Sequence, residues 1–450
     1  MTYHNAVKYI LSAPTADTGS HSHDRILYMS ALLGEPHKNL NYIRLAGSNG
    51  KTICSALTSA ILCRAGYTVC SLNMSVLDDI KENIRINSSA LSIPEFTSAV
   101  QTVFQTANLM RHNIELAKAA LFSEEELDAD LAAIPQTLLN GSLSPELTQG
   151  EILLLCALIL YKKNDCNICI IESSNTDNDP SLFLKPPSAA VICGAIPNSD
   201  PAQMARIKTY IQRGITEVIS APQDPLSYKM ISDSCAAINC RLSVPIRSLL
   251  TLKQLSLIGT TFIYNGEEYK LSLCGRFQTT NAITVIETVK VLRRMGYNIS
   301  QEAEHKGLSS VRIPSRFEVL SVNPTIIADS TYKLEAIETV CESLFDFSEI
   351  TGRRISLCLP PNSEMINTYL DMLGARGYTV ERIYTVTQNN DETETLAKGL
   401  KKDIPIVAMP SIKAVKQMLG ELSDDALLLI SGKHFFTENI RIEIIRYLGF

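Results

Sequence analysis

The stretch that decides the fold runs from Asn41 to Asn73: NYIRLAGSNGKTICSALTSAILCRAGYTVCSLN. Its apolar run Tyr42–Ala46 reads as a buried strand and stops at Gly47-Ser48-Asn49-Gly50-Lys51-Thr52. Ile53, Leu57, Ala60, Ile61 and Arg64 then recur at three- and four-residue spacing, which predicts a helix. Gly66 ends that helix, and Tyr67–Leu72 predicts the next strand. Strand, glycine loop, helix and strand form the context that a phosphate-binding loop requires.

The residue types suit that task. Gly47 and Gly50 let backbone N–H groups, those of Ser48 and Asn49 among them, turn inward on a phosphate. Lys51 can reach the terminal phosphates of a nucleotide, and Thr52 can offer its hydroxyl to magnesium. The usual eight-residue loop has a glycine where this chain has Arg44, so the match is to a shorter form, G-x-x-G-K-T.

At 450 residues the chain has room for about two or three domains. Hydrophobic residues at 45% and charged residues at 20% suit a globular protein with a sizeable core. A net charge of −6 argues against a broad nucleic-acid surface, because phosphate backbones need clustered cations. The longest apolar run, Ile152–Tyr161, is too short to span a bilayer. No secretory signal is visible at the N-terminus, and many of the twelve cysteines sit in apolar runs. Reduced thiols in a cytoplasmic protein are therefore expected. Cys166 and Cys169 form a C-x-x-C with no second pair at matching spacing, and no histidine spacing suggests a metal ligand set.

Outward from the loop, helices are expected on either side of Pro14–Asp24, from Ser92 to about Leu109, and at Glu151–Tyr161 behind Thr148. Strands follow at Ile168–Glu172, Ala189–Ile196 and Glu217–Ala221, with a helix from about Pro201 to Arg213 between the last two. A hairpin turned at Asn265-Gly266 covers 261–273, and a helix covers Ala282–Met295. Residues 296–315 read as a linker. Strands then recur at Phe317–Val322, Thr325–Ala328, Arg354–Leu359, Thr379–Thr385, Ile404–Met409 and Ala426–Ile430. Strands alternating with helices throughout predict an α/β fold with parallel sheets covered on both faces.

The order of these pieces resembles the folylpolyglutamate synthase branch of the Mur ligase family along nearly the whole chain. The loop is similar to that family's G-T-N-G-K, with Ser48 in place of threonine. Glu82 and Ile84–Asn87 match E-R-I-R-x-N, and Thr148 with Glu151 matches T-x-x-E. Ile170-Ile171-Glu172 resembles the strand ending in E-V-G. Gly275, Gln278 and Asn281 fit G-x-x-Q-x-x-N, and Ile313–Glu318 resembles W-P-G-R-x-E. Asp329 falls at the start of D-G-A-H-N, and Gly432 and Phe435 stand near the closing G-S-x-x.

The resemblance implies a P-loop-containing parallel-sheet ATPase domain over 1–297 and a smaller Rossmann-like α/β domain over 298–450. It implies ATP-dependent amide ligation: a carboxylate is activated as an acyl phosphate and joined to an amino acid such as glutamate. Lys51 and Glu172 would be catalytic. Thr52 and Glu172 would hold Mg2+. Gly47, Ser48, Asn49, Gly50, Lys51, Thr52, Asn281, Arg316 and Asp329 would bind ATP, Asn281 at the adenine and the last two from the second domain. Each later residue has a plainer reading beside this one. Glu172 would be a solvated strand-end carboxylate, Asn281 a helix-entry cap, Arg316 a surface ion pair, and Asp329 a turn or cap residue.

Several family positions are altered. Met74-Ser75-Val76-Leu77 stands for S-P-H-L, and Asn83 for the arginine of E-R-I. Ser173–Pro180 replaces a glycine-rich run. Asn198-Ser199-Asp200 lacks a histidine that helps hold a second metal. Gln212 falls where the family carbamylates a lysine, and only the aspartate of D-G-A-H-N survives at Asp329-Ser330-Thr331-Tyr332-Lys333. Arg213 is a cation that could take over part of the second metal's role. Three readings follow: a ligase moved away from ordinary folate substrates, with ATP, a small carboxylate and an amino acid as its partners; a catalytically inactive ATP-binding relative serving as scaffold or partner subunit; and an unrelated P-loop switch or motor. Neither nucleic acid nor membrane is an expected partner.

Overall fold

The computed structural model describes the chain apart from residues 16–21, 48, 75–78, 124–128, 175, 177, 197–200, 333, 346, 348–352, 388 and 450. By compactness it divides into two units. The first comprises Met1–Arg247 with Thr280–Gly307, and the second Ser248–Thr279 with Leu308–Phe450. Position 297, where the sequence suggests a boundary, falls within the returning segment 280–307 of the first unit.

The first unit is built on an eight-stranded sheet. In chain order the strands are β1 (Tyr42–Ala46), β2 (Val69–Asn73), β3 (Ile84–Ile86), β4 (Ser89–Ala90), β5 (Ile168–Glu172), β6 (Ala189–Ile192), β7 (Glu217–Ser220) and β8 (Arg241–Ser243). Their spatial order is β4-β3-β2-β5-β1-β6-β7-β8. The six strands from β2 to β8 in that order run parallel, and β3 and β4 are antiparallel additions at one edge. Strands β1 and β5 are buried along their whole length, as expected of mostly apolar central parallel strands, with Arg44 and Glu172 the charged residues among them.

Helices cover the sheet. The helix Lys51–Arg64 follows β1 directly. The helix at Ile93 runs to Phe122, well past the expected end near Leu109, because Met110, Ile114 and Ala117 continue its buried stripe. It starts in a capping box, Ser92 with Glu95. A second capping box, Thr148 with Glu151, opens the helix Gln149–Lys163. There the Glu151 carboxylate also meets Arg25 of the helix Ser22–Leu32 at 2.7 Å, with both side chains 1% exposed. Burial holds the Glu151 carboxyl above the ordinary range even beside that guanidinium.

The second unit has two sheets. Strands β9 (Leu250–Ser256), β10 (Gly259–Tyr264) and β11 (Glu267–Leu271) form an antiparallel meander. Its second turn is the expected Asn265-Gly266 hairpin, with φ of 51° and 81°, and β9 is a strand that the sequence reading missed. The larger sheet contains β12 (Glu318–Val322), β13 (Thr325–Asp329), β14 (Arg354–Cys358), β15 (Val380–Val386), β16 (Ile406–Met409) and β17 (Ala426–Ser431). Its order is β12-β13-β17-β14-β15-β16, parallel except for β12 against β13. Helices between successive parallel strands make this unit Rossmann-like. The stretch 296–315 is not simply a linker: it contains the helix Gln301–Ser310.

Candidate nucleotide site

The site begins where β1 ends. Gly47 takes φ 126° and Gly50 takes φ 82°, a backbone region in which L side chains are strained. Space reinforces the requirement. A Cβ on Gly47 would lie 2.1 Å from the Cys193 carbonyl oxygen, and one on Gly50 would lie 2.5 Å from Asn281 Oδ1. The loop is therefore pressed between the end of β6 and the helix Arg276–Arg294. Asn49 also packs closely, its carbonyl against Gly194. Ser48 lies outside the described residues.

Gly50 caps the helix Lys51–Arg64 without a side-chain hydrogen bond. An uncapped N-terminus aims its first N–H groups outward and favours an anion there. Lys51 Nζ donates to the Gly47 carbonyl at 2.8 Å, folding the ammonium back over the loop. Thr52 Oγ1 donates to Glu172 Oε2 at 2.9 Å. Glu172 is the last residue of β5, in register with Leu45 of β1 and Asn73 of β2, and only 4% exposed. It is not a solvated strand-end carboxylate. The parallel pairing of β1 with β5 carries it beside the residues that follow β1. Lys51, Thr52 and Glu172, separated by 120 positions in sequence, thus gather at one sheet edge.

Asn281 is not a helix-entry cap either. It is the sixth residue of the helix Arg276–Arg294, 7% exposed, with its side chain over Gly50 and its carbonyl accepting from Cys54 Sγ at 4.0 Å. The structure places it against the phosphate loop. Cys193 and Gly194 shape the same loop and escaped the sequence reading. Their only signal was a small pair at the end of the strand beside β1.

The remaining two residues belong to the second unit. Asp329 ends β13 and is 6% exposed. Its Oδ2 accepts from the Phe317 N–H at 2.7 Å, and its Oδ1 has no hydrogen-bond partner. Burial raises its carboxyl above the ordinary range, against the opposing pull of Thr331, Arg316 and the Phe317 N–H. Arg316 is exposed and has no ion-pair partner among the described residues.

The altered positions are partly visible. Ser75-Val76-Leu77, Asn198-Ser199-Asp200 and Lys333 lie outside the described residues. Asn83 is buried and donates to the Asn73 carbonyl at 2.8 Å. Gln212 does not face open space: its Oε1 accepts from Arg44 Nη1 at 2.8 Å. Arg213 is exposed. Among the described residues no group of three or more His, Cys, Asp or Glu side chains could hold a metal, and the twelve cysteines are unbonded to one another. Among them, too, no helix is long and apolar enough to cross a membrane.

No family model matches the chain. Curated relatives do. It is 23% identical over 441 residues to the dihydrofolate synthase/folylpolyglutamate synthase of Bacillus subtilis, covering 93% of each chain. It is 23% identical over 334 residues to a probable bifunctional folylpolyglutamate synthase/dihydropteroate synthase of Halobacterium salinarum, where the match covers 70% of this chain and 36% of that longer protein. Among solved structures, the folylpolyglutamate synthase of Thermotoga maritima superposes with a TM-score of 0.77 at 19% identity, over 98% of this chain and 96% of that one. A folylpolyglutamate synthase complex with AMPPCP and folate gives 0.69 at 18%, over 99% and 100%. In sequence, at low identity, and in fold, this chain is thus similar along almost its whole length to folylpolyglutamate synthases.

Proposed function

We propose that the chain is an ATP-dependent carbon–nitrogen ligase of the folylpolyglutamate synthase type, acting on a small carboxylate and an amino acid such as glutamate. One observation carries the reading: Lys51, Thr52 and Glu172 converge at the C-terminal edge of β1 and β5, around a loop that only glycine fits. Relatives named for dihydrofolate and folylpolyglutamate synthesis, and a similar fold solved with AMPPCP and folate, support it.

In this reading the loop N–H groups and the N-terminus of the helix Lys51–Arg64 receive the ATP phosphates. Lys51 leaves the Gly47 carbonyl to neutralise the γ-phosphoryl group as it passes to the acceptor carboxylate, releasing ADP. The acyl phosphate is then attacked by the deprotonated amine, which forms the amide and releases phosphate. Two oxygen donors, Thr52 Oγ1 and Glu172 Oε2, held together with the carboxylate largely shielded from water, fit Mg2+, a hard cation. Bound there, the ion would offset charge on the β- and γ-phosphate oxygens. Asn281 would fix the loop from behind. The assignment of Arg316 and Asp329 to the nucleotide rests on the resemblance of their motifs.

Phosphate release from Mg-ATP tests the reading, with glutamate and a panel of folates, cell-wall precursors and other carboxylates, beside Lys51→Ala. Turnover that needs one carboxylate and one amino acid and vanishes in the variant is expected. Nucleotide binding without turnover on any acceptor would overturn the ligase.

A further inference from the structure

The sheet face opposite the helix Lys51–Arg64 holds a polar cluster that no motif announces. Arg44 of β1 is wholly buried. It donates to Gln212 Oε1 at 2.8 Å, to the Tyr42 hydroxyl at 3.0 Å and to the Ser181 carbonyl at 2.6 Å. Its guanidinium also lies 5.7 Å and 5.8 Å from the ring centres of Tyr42 and Tyr210. Beyond Tyr210 sits a buried carboxylate. Asp179, 1% exposed, accepts from Tyr210 OH at 2.9 Å, Ser174 N at 2.7 Å, Ser174 Oγ at 3.2 Å and Ser181 N at 2.8 Å. Tyr210 thus stands between a buried cation and a buried anion.

Ser173 and Ser174 are the two residues that follow Glu172. Ser173 N donates to the Leu45 carbonyl at 2.8 Å. The backbone leaving Glu172 is therefore tied down at consecutive residues, Ser173 by the Leu45 carbonyl and Ser174 by Asp179. Side chains alternate across a strand, so a backbone fixed at Ser173 and Ser174 also fixes the direction in which Glu172 presents its carboxylate to Thr52. A carboxylate offered to a small, geometrically demanding cation such as Mg2+ needs that orientation.

We propose that Tyr210 and Asp179 are positioning residues for Glu172, acting through Ser174 to aim its carboxylate at the magnesium of bound nucleotide. This rests on the reading of Thr52 and Glu172 as the metal-holding pair. Burial keeps the Tyr210 phenol well above its ordinary range, so it stays a donor to Asp179 at working pH. The tyrosine ring and its hydroxyl have separable duties. The ring packs against Arg44, and the hydroxyl holds the Asp179 oxygen that also receives Ser174.

The test is the Mg2+ dependence of AMPPCP binding by calorimetry in the full-length protein. Tyr210→Phe keeps the ring and removes the link; Asp179→Asn weakens the anchor; Glu172→Gln is the reference. The expected result is that Tyr210→Phe and Glu172→Gln each raise the Mg2+ concentration for half-maximal binding, by roughly tenfold for the first. For Tyr210→Phe, affinity for AMPPCP without metal should stay at the wild-type value. A Tyr210→Phe protein with a lower melting temperature but an unchanged Mg2+ requirement would overturn the inference, because a purely structural role predicts that pattern. If Glu172→Gln raises the requirement and Tyr210→Phe does not, only this inference falls. If Glu172→Gln leaves it unchanged, the metal reading falls and takes the inference with it. Should Asp179→Asn fail to fold, Tyr210→Phe alone decides.

Discussion

Two carboxylates end central strands in the two units, and their surroundings differ. Glu172 closes β5 beside a hydroxyl and a lysine-bearing glycine loop. Asp329 closes β13 against a backbone N–H, with its second oxygen unsatisfied and burial opposing its charge. Parallel sheets bring strand ends together by topology alone, so both positions are where a ligand-handling carboxylate belongs. What separates them is the neighbouring chain: the first is set among groups that suit phosphate and metal, the second among groups that hold a turn. Position in the fold nominates a residue, and the atoms around it decide what it can do.

The comparison breaks most sharply at Lys51. Lys51→Ala should weaken nucleotide binding by about 100-fold, and ATP should no longer raise the melting temperature. A variant that kept the full ATP-induced shift would reduce the first sheet edge to a bare carboxylate like the second. Next in size is Gly50→Ala. A positive φ and a Cβ 2.5 Å from Asn281 Oδ1 should cost about 1–3 kcal/mol in urea unfolding. Gly66→Ala is the matched control: it shares a positive φ, 89°, but its Cβ would meet nothing within 4 Å. It should therefore lose less, and equal losses would mean that Asn281 exerts no pressure on the loop.

The smallest effect concerns Asp329. Its folded pKa is raised above the unfolded value, so the folded state binds the proton more tightly. The resulting stabilisation is complete below pH about 4 and is lost as pH rises through the raised value. Asp329→Asn keeps an acceptor for the Phe317 N–H and removes the titration. Its stability should fall less between pH 4 and 7 than the wild type's. Parallel pH profiles in chemical denaturation would show that the second carboxylate is not opposed by burial.

Legibility in the sequence follows the range of the interactions. Tyr42–Ala46, the glycine loop and the helix after it are specified by neighbours in the chain, and each was readable from spacing alone. Strand β5 was read to its last residue because its apolar run stops at Glu172. Edge strands were harder: β9, with its half-exposed alternation, gave too little apolar signal to separate from a loop. Asn281 was legible as a candidate through its motif, but its contact with Gly50 was not, since the two lie 231 positions apart in the chain. The Arg44, Tyr210 and Asp179 cluster was illegible for the same reason. A lone arginine inside an apolar strand reads as a blemish until the fold supplies its partners.

The pair Arg25 and Glu151 carries a consequence for how this sequence can drift. Each is almost wholly removed from water, and Glu151 also receives the Thr148 N–H at 2.6 Å. Losing one partner would strand a charge in the core at a cost of about 3–5 kcal/mol, while replacing both with apolar side chains of similar volume would cost little. The route between those two tolerated states crosses a poorly folded intermediate. The two positions are therefore expected to change together or not at all, so that across a set of diverged homologues they would be inherited as one character.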